Sequence, residues 1–388
     1  MTYRYPPQTV RQDDSAFNKC FDKQRWDRAL DLIQGWCDAG HLPAAGVQVG
    51  NGGVSTGPHL FGRARPAPDA PPIGPDAIFL IASITKPIVA TGVLLLAERG
   101  LLALDDRVER FVPAFGKHGK HAVTLRHLLT HTSGLPDMLP NNVELRAAGA
   151  PLSAFVEGTC GLPLDFLPGR GVQYQSTGFA MLGEVIHQVS GKTCSQFLQD
   201  ELFDPLEMTD TALGAPASWF EGPSPKVQRI AEIRLPEEQQ QATTWNWNTR
   251  YWRQLGVPWG GLLTTPADLG KFASMLINEG FGPTGQVLCT AAVRAATRNQ
   301  LEAMADVPPD ERRCRPWGLG WRLNWPAHSA NFGDFLGPRT YGHWGATGTV
   351  MWIDPDRGAY AILLTTQPQE PHGSYLARAS NAIAAALR

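Results

Sequence analysis

A short apolar run passes directly into a long helix in the segment Ile78-Phe79-Leu80-Ile81-Ala82-Ser83-Ile84-Thr85-Lys86-Pro87. Pro87 indicates where the helix begins, because a proline is tolerated in the first turn, where its missing N–H has no intrahelical partner. The helix continues to Arg99, ends at Gly100 and is apolar nearly all round, which is typical of a buried helix. The pattern therefore predicts Ser83 at the N-terminus of a rigid central helix.

Ser83 and Lys86 are three residues apart, so their side chains lie on one face of this helix. A serine hydroxyl becomes a good nucleophile when a neighbouring base takes its proton, and a lysine acts as that base when burial lowers its pKa. A helix cap with a solvated lysine is the other interpretation of such a pair. A solvated lysine does not suit a helix that is apolar on every side, and this favours the catalytic interpretation.

Two later segments carry further candidate residues. A turn-rich loop delivers Tyr174 and Ser176, and a strand near the C-terminus contains His343-Trp344-Gly345. A glycine in a strand often marks the close approach of another backbone or of a ligand. Taken alone, the tyrosine is equally typical of a packed aromatic, and the histidine of an ordinary strand residue.

The chain resembles the serine β-lactamases and penicillin-binding proteins at the three motifs of that group. In order along the chain, the matching segments are the Ser83 and Lys86 pair, the Tyr174-Gln175-Ser176 loop and the His343-Trp344-Gly345 strand. The resemblance is nearest to the branch of class C β-lactamases and family VIII carboxylesterases, and it covers roughly residues 40–370. The segments 124–135 and 260–262 also resemble stretches common in that branch.

The resemblance implies a role for each residue. Ser83 would be acylated, Lys86 and Tyr174 would share the proton transfers, and the backbone N–H groups of Ser83 and Ala346 would form the oxyanion hole. No metal or cofactor is implied. The residues expected to contact the substrate are Ser176, His343, Trp344 and Gly345. His131 and Ser133 are expected to be structural, and the chain lacks the G-x-S-x-G elbow of the α/β-hydrolases.

Two departures from the β-lactamase pattern bear on the substrate. Ser176 stands where those enzymes have an asparagine, and it lacks the amide that holds an acylamino side chain. His343 and Trp344 replace a lysine and a threonine, so the cation and the hydroxyl suited to a β-lactam carboxylate are both missing. We therefore expect short-chain or aryl esters as substrates, with weak β-lactam hydrolysis that increases as the pH falls toward 6 and His343 gains a proton.

Other functions remain open from the sequence. The alternatives are a β-lactamase or a D-amino-acid peptidase, and an acyltransferase that would pass the acyl group to an alcohol or amine instead of water. A penicillin-binding sensor that does not turn over would also keep the fold. The aromatic residues Trp245, Trp247, Tyr251, Trp252 and Trp259 indicate either a wall for acyl or aryl groups or plain packing of the lobe.

The pattern along the chain predicts a mixed α/β fold of the α+β type. Strands near both ends are expected to share one antiparallel sheet flanked by helices, with a large, mainly helical lobe inserted between them. We place the sheet domain at residues 1–100 and 296–388, the helical lobe at residues 101–295, and the active site between the two.

Composition narrows the range of partners. The net charge of −2 gives no sign of the basic face that nucleic acid or an anionic membrane surface would need, so the expected partner is a small ester or amide. The N-terminal stretch lacks the pattern of a secretory signal, which favours a cytoplasmic location. The six cysteines have no C-x-x-C spacing, and we expect them to be reduced thiols.

Overall fold

The structure is a computed structural model. It describes residues 15–241, 244–324, 332–368 and 374–388, together with the backbone of residues 8–10. The expectation of no secretory signal rests on the remaining N-terminal residues. These residues lie outside the described part of the chain.

Thirteen strands are present in the described part of the chain. They are β1 (Gln8–Val10), β2 (Ala44–Asn51), β3 (Val54–Thr56), β4 (His59–Gly62), β5 (Phe79–Leu80), β6 (Ala212–Leu213), β7 (Leu262–Thr264), β8 (Phe281–Gly282), β9 (Gly285–Gln286), β10 (Arg322–Leu323), β11 (Tyr341–Gly345), β12 (Thr349–Asp354) and β13 (Ala359–Thr365). Eight of them form the main sheet, in the order β1-β3-β2-β13-β12-β11-β10 with β4 also paired to β2. All pairs are antiparallel except β1 with β3.

The α-helices in the described part of the chain pack around the sheet and make up most of the lobe. They are α1 (Ser15–Cys20), α2 (Lys23–Asp38), α3 (Thr85–Glu98), α4 (Leu125–Leu129), α5 (Asn142–Ala147), α6 (Leu152–Gly161), α7 (Thr177–Ser190), α8 (Cys194–Leu198), α9 (Glu237–Gln240), α10 (Arg250–Leu255), α11 (Pro266–Ile277), α12 (Thr290–Ala296), α13 (Pro309–Cys314) and α14 (Ser374–Ala386). The mixed fold expected from the sequence, with an antiparallel sheet drawn from both chain ends, is confirmed.

The main sheet separates two apolar layers. On its outer face, Trp352 of β12 packs in one cluster with Trp26 and Ile33 of α2 and Ile383 of α14. The intervening side chains of β12, such as Met351, belong instead to the large core shared with α3, α7 and α11. Alternate residues of a strand point to opposite faces, so the sheet is buried on both sides. The chemistry described below lies on the face opposite to α14.

Helix α11 packs against β2 and β13, although it falls within the segment expected to form the helical lobe. The close approach at Gly46, where an added Cβ would meet Pro266, helps to seat this helix on the sheet. The domain boundaries proposed from the sequence stay a prediction.

Two local features differ from the sequence pattern. The amphipathic pattern over residues 16–39 predicts a single helix, but Asp22 separates α1 from α2 by accepting a hydrogen bond from the Arg25 N–H as an N-cap. The sequence over residues 318–323 has the pattern of a strand, but only β10 forms there, because Gly320 adopts a positive φ and packs against Ala90 of α3.

All six cysteines are free. Of the helices within the described ranges, none has both the length and the apolar character needed to cross a membrane.

Candidate active site

The predicted nucleophile Ser83 sits where a small sheet meets the central helix. Strand β5 pairs with β7, and the next residue, Ile81, donates its N–H to the carbonyl of Leu262. Ala82 follows with a φ of 47°, in the left-handed region that costs a residue with a Cβ about 1–2 kcal/mol. Ser83 then lies in a 3₁₀ turn that leads into α3, and its side chain remains partly exposed. Strain stored directly before a partly exposed serine is typical of a functional site.

Lys86 is completely buried one helical turn beyond Ser83. Its Nζ lies 3.2 Å from the Ser83 Oγ and donates a hydrogen bond to the carbonyl oxygen of Trp259 at 2.9 Å. Burial lowers the pKa of Lys86 to about 7, although the charge of Asp137 acts in the opposite direction. A substantial fraction of the amine is therefore neutral at physiological pH and able to accept a proton.

Tyr174 completes a triangle with these two residues. Its ring centroid lies 4.7 Å from the Lys86 Nζ, and its hydroxyl is near enough to the Ser83 side chain for Ser83 to lower its pKa. Burial raises the pKa of Tyr174, and the interaction with Ser83 only partly offsets that rise. The phenol therefore stays protonated at neutral pH, so it is suited to donating a proton and Lys86 to accepting one.

The loop that carries Tyr174 is held by the residues that we expected to be structural. His131 accepts the Gln175 N–H on its Nδ1 at 3.0 Å, and Ser133 donates to the Gln175 side-chain oxygen. The His131 ring also stacks on the Tyr174 ring, with centroids 4.7 Å apart. These contacts fix the tyrosine through its neighbour and its ring, which agrees with a positioning role for both residues.

Strand β11 approaches the nucleophile from the main sheet. A Cβ on Gly345 would overlap the carbonyl oxygen of Ile81, so a glycine is required for this approach. The Thr349 hydroxyl donates to the same carbonyl at 2.9 Å, and the Thr347 hydroxyl donates to the carbonyl of Leu80 at 2.7 Å. The turn that contains Ala346 is thereby pinned against the strand that precedes Ser83.

His343 lies at the site but is not the titratable group that its position in the sequence predicted. Its side chain is 1% exposed, its Nδ1 is 2.7 Å from the carbonyl oxygen of Trp344, and its Nε2 has no partner. Burial and the charge of Lys86 lower the pKa of His343 to about 3. The expected gain of charge near pH 6 is therefore wrong, because the imidazole stays neutral there.

A cation that the motifs did not reveal lies beside His343. Arg322 of β10 pairs across from Gly342, and its guanidinium lies 4.3 Å from the Trp344 ring and 5.6 Å from the Trp317 ring. Burial lowers the pKa of Arg322 to about 10, which leaves it charged at neutral pH. Within the described residues no carboxylate lies within ion-pair distance of it. The sequence pattern gave no signal for this residue, because it enters the site only through its pairing with β11.

Asp137 also has no signal in the sequence pattern, although it acts at the site. Its Oδ1 accepts the Ser176 N–H at 2.8 Å, and its charge raises the pKa values of Lys86 and Tyr174. Ser176 is 3% exposed and follows Tyr174 by two residues. The carboxylate thus helps to place the loop and is the acidic group that acts on both catalytic candidates.

The aromatic residues considered for a wall of the substrate pocket lie in different surroundings. Trp259 lines a small, mainly apolar cavity together with Ser176, Phe155 and Asn142. Trp245 and Trp252 are not among the residues that line this cavity, and they contact the guanidinium of Arg146. Trp247 and Tyr251 are partly buried against the same core. In the described ranges, no cluster of three or more histidine, cysteine, aspartate or glutamate side chains is arranged to hold a metal ion.

Comparisons with known proteins place this geometry in context. The family model "Beta-lactamase" matches residues 19–386. Penicillin-binding protein 4 of Amycolatopsis lactamdurans is 28% identical over 355 residues, covering 89% of this chain and 85% of that protein. A protein of Escherichia coli K12, provisionally named a D-alanyl-D-alanine carboxypeptidase, is 27% identical over 323 residues, covering 76% of this chain and 70% of that protein.

Among solved structures, a family VIII carboxylesterase superposes with a TM-score of 0.72 at 22% identity, covering 92% of this chain and 97% of the other. At that identity the superposition shows a shared fold.

Proposed function

The chain belongs to the beta-lactamase family and is a serine hydrolase of the β-lactamase and penicillin-binding-protein superfamily, and from this premise we propose that it is a carboxylesterase for short-chain or aryl esters. The observation that carries the hydrolytic part is the fully buried Lys86, 3.2 Å from the Ser83 hydroxyl, with its pKa lowered to about 7. Its preference for esters rests on Ser176, which has no side-chain amide, and on the neutral His343.

The reaction follows from the three side chains. Neutral Lys86 takes the Ser83 proton as Oγ forms a bond to the ester carbonyl carbon, and the backbone N–H groups of Ser83 and Ala346 stabilise the oxyanion. When the bond to the leaving oxygen breaks, Tyr174 gives that oxygen a proton and regains one from the Lys86 ammonium. Water then attacks the acyl-enzyme by the same route in reverse, which releases the acid and restores Ser83.

A substitution of the nucleophile tests this mechanism. Ser83→Ala should lower kcat/KM for 4-nitrophenyl esters by about 10³-fold or more without a change in thermal unfolding, because the covalent route is lost. A fluorophosphonate should label Ser83 in the wild type, as read from peptide masses, and Ser133→Ala should still be labelled at Ser83. Full turnover by Ser83→Ala, or a label on Ser133, would refute the assignment.

Arg322 supports a second candidate, a D-amino-acid peptidase or β-lactamase, because substrates of both kinds carry a carboxylate. The guanidinium lies beside β11, where it supplies the permanent cation that His343 does not. The name of the Escherichia coli relative agrees with this candidate. A comparison of a neutral 4-nitrophenyl ester with a chromogenic cephalosporin separates the two functions. Faster cephalosporin hydrolysis in the wild type, lost in Arg322→Gln, would favour the second.

Two further outcomes would change the assignment. Labelling of Ser83 without turnover of any ester or cephalosporin would indicate a penicillin-binding sensor. Product esters formed when an alcohol is added would indicate an acyltransferase.

A further inference from the structure

A cavity of about 560 Å³ lies at the C-terminal end of α2, and none of the residues that the proposed mechanism uses lines it. Helix α2 forms one side of the cavity, and the loop of residues 63–72, which follows β4, forms another. Three of the lining residues are arginines, namely Arg63, Arg65 and Arg234. We call this space the arginine cavity. Its volume is in the range typical of sites for small molecules, so a ligand has room to enter.

The lining of the arginine cavity carries an excess of positive charge. Asp38 is the one acidic residue in the lining, and it accepts a hydrogen bond from the Gln34 side-chain amide at 2.6 Å. Within the described part of the chain, none of the three guanidinium groups has a carboxylate within ion-pair distance. Three arginines and one aspartate leave two positive charges uncompensated, and like charges around one cavity repel one another.

Two of the arginines are held in place by neutral oxygens. Arg63 donates a hydrogen bond from Nη1 to the Ala70 carbonyl at 2.7 Å. Arg234 donates from Nη1 to the Gln367 side-chain oxygen at 2.5 Å and from Nη2 to the Gly40 carbonyl at 2.9 Å. A guanidinium has five N–H donors, so both side chains keep donors for a ligand. These bonds fix the positions of the two charges without neutralising them.

Arg65 differs from the other two arginines. Its side chain is exposed and makes no hydrogen bond or ion pair with the residues that the structure describes. It can therefore turn toward a bound anion without first breaking a contact. Its replacement would remove a charge from the cavity but no hydrogen bond from the fold.

The rest of the lining is largely apolar and rigid. The apolar lining residues are Leu42, Pro43, Pro66, Ala67, Pro68 and Pro72. The proline rings fix the backbone φ, and a hydrogen bond from the Ala64 N–H to the Pro71 carbonyl at 3.0 Å closes the loop. A wall that is already ordered loses little conformational entropy when a ligand binds.

These features match one class of ligand. Guanidinium groups bind phosphate oxygens through pairs of parallel hydrogen bonds. A phosphate monoester carries a charge of about −1.5 to −2 at neutral pH, which balances the excess in the lining, whereas a simple carboxylate carries a single charge. The organic part of the monoester would lie against the proline rings and be removed from water.

We propose that the arginine cavity binds a small organic phosphate monoester, in a site separate from that of the hydrolysed substrate. The phosphate oxygens accept hydrogen bonds from Arg63, Arg65 and Arg234, and the organic group packs on the prolines of the loop. The negative charge of Asp38 lowers the affinity. This inference goes beyond the proposed ester hydrolysis and does not depend on it.

Titration calorimetry of the full chain with phenyl phosphate at low ionic strength tests the site. Arg65→Gln should raise the Kd by about 10-fold, the amount expected for one lost charge-assisted hydrogen bond, and Arg65→Lys should retain part of the affinity. Benzyl alcohol lacks the charge and inorganic phosphate lacks the ring, so both should bind more weakly than phenyl phosphate. Absence of phenyl phosphate binding, an unchanged Kd in Arg65→Gln, or an equal Kd for inorganic phosphate would overturn the proposal.

Two further variants provide matched controls on α2. Arg28 is an exposed arginine of this helix that does not line the arginine cavity, so Arg28→Gln should leave the Kd unchanged. Asp38→Asn removes the acid of the lining and should lower the Kd by about 3-fold. This substitution should not destabilise the helix, because an acid in the last turn is unfavourable there. A loss in Arg28→Gln equal to that in Arg65→Gln, or no gain in Asp38→Asn, would refute the assignment.

A last comparison separates the arginine cavity from the active site, where Arg322 is another cation. Phenyl phosphate should leave the KM for a neutral 4-nitrophenyl ester unchanged, and Arg322→Gln should still bind it with the wild-type Kd. Binding that is lost in Arg322→Gln and kept in Arg65→Gln would place the phosphate beside Tyr174 and overturn the proposal. If no ester is hydrolysed but phenyl phosphate binding depends on Arg65, the esterase proposal fails and the phosphate site stands.

Discussion

Lys86 and His343 illustrate how one environment acts on two bases. Both side chains are at most 1% exposed, and burial lowers both pKa values. The pKa of Lys86 falls to about 7, within the range where proton transfer at neutral pH is efficient, whereas that of His343 falls to about 3. The lysine is therefore the group that titrates in the physiological range, and the histidine acts as a neutral neighbour.

This difference predicts the pH dependence of the reaction. The base must be deprotonated, so kcat/KM for a neutral ester should rise with pH, level off above about 7 and fall roughly 10-fold per pH unit below that value. Tyr174→Phe should lower kcat by about 10²-fold and keep the same inflection, because the titrating group is Lys86. Initial rates from pH 5 to 9 measure both. An inflection that disappears in Tyr174→Phe would assign the base to the tyrosine.

The proximity of two residues could be predicted where they lie close together in the sequence. It could not be predicted where the fold brings distant segments together. Ser83 and Lys86 share one helix face, so their proximity follows from their spacing alone. Arg322 reaches the site through strand pairing, and Asp137 through a hydrogen bond to Ser176. The burial that removes the charge of His343 likewise depends on rings from distant segments, such as Trp317. None of these contacts has a periodic signal in the sequence.

At the level of elements, β11 lies closely against the turn before Ser83. Gly345 leaves room for the Ile81 carbonyl, and two threonine hydroxyls bond to the carbonyls of Leu80 and Ile81. The glycine in this strand was predicted to mark a close approach of backbone or ligand. The structure identifies the neighbour as backbone on the strand that leads into the nucleophile.

A methyl group at this position should therefore displace the strand. Gly345→Ala should lower kcat by about 10²-fold, because a shift near 1 Å misplaces the Ala346 N–H from the oxyanion. Gly35→Ala in α2 is the matched control, since an added Cβ there has open space around it and alanine favours a helix. Steady-state rates and thermal unfolding of both variants give the comparison. Wild-type kcat in Gly345→Ala would show that the contact does not set the oxyanion geometry.

Across the whole molecule, the elements with clear periodicity were predicted and the irregular ones were not. The central helix and the antiparallel sheet shared by strands near both chain ends follow from apolar patterning. The break at Asp22 and the loss of strand at Gly320 depend on a single cap and a single positive φ, which apolar periodicity does not register. The placement of α11 on the sheet depends on tertiary packing, so it could not follow from its position in the chain.

The apolar cluster on the outer face of the sheet contributes to stability, whereas the core on the inner face also supports the active site. Substitutions in the two layers can separate these effects. Ile383 of α14 is 1% exposed in the outer cluster, and Ile88 of α3 is fully buried two residues after Lys86. Each substitution to alanine removes the same atoms and should lower the free energy of unfolding by about 2–4 kcal/mol. Ile383→Ala should keep the wild-type kcat/KM at 25 °C, whereas Ile88→Ala should also lower kcat, because α3 carries both Ser83 and Lys86. Denaturant unfolding and ester kinetics on the two variants measure these effects separately. A loss of kcat in Ile383→Ala equal to that in Ile88→Ala would show that the sheet transmits packing defects from its outer face to the active site.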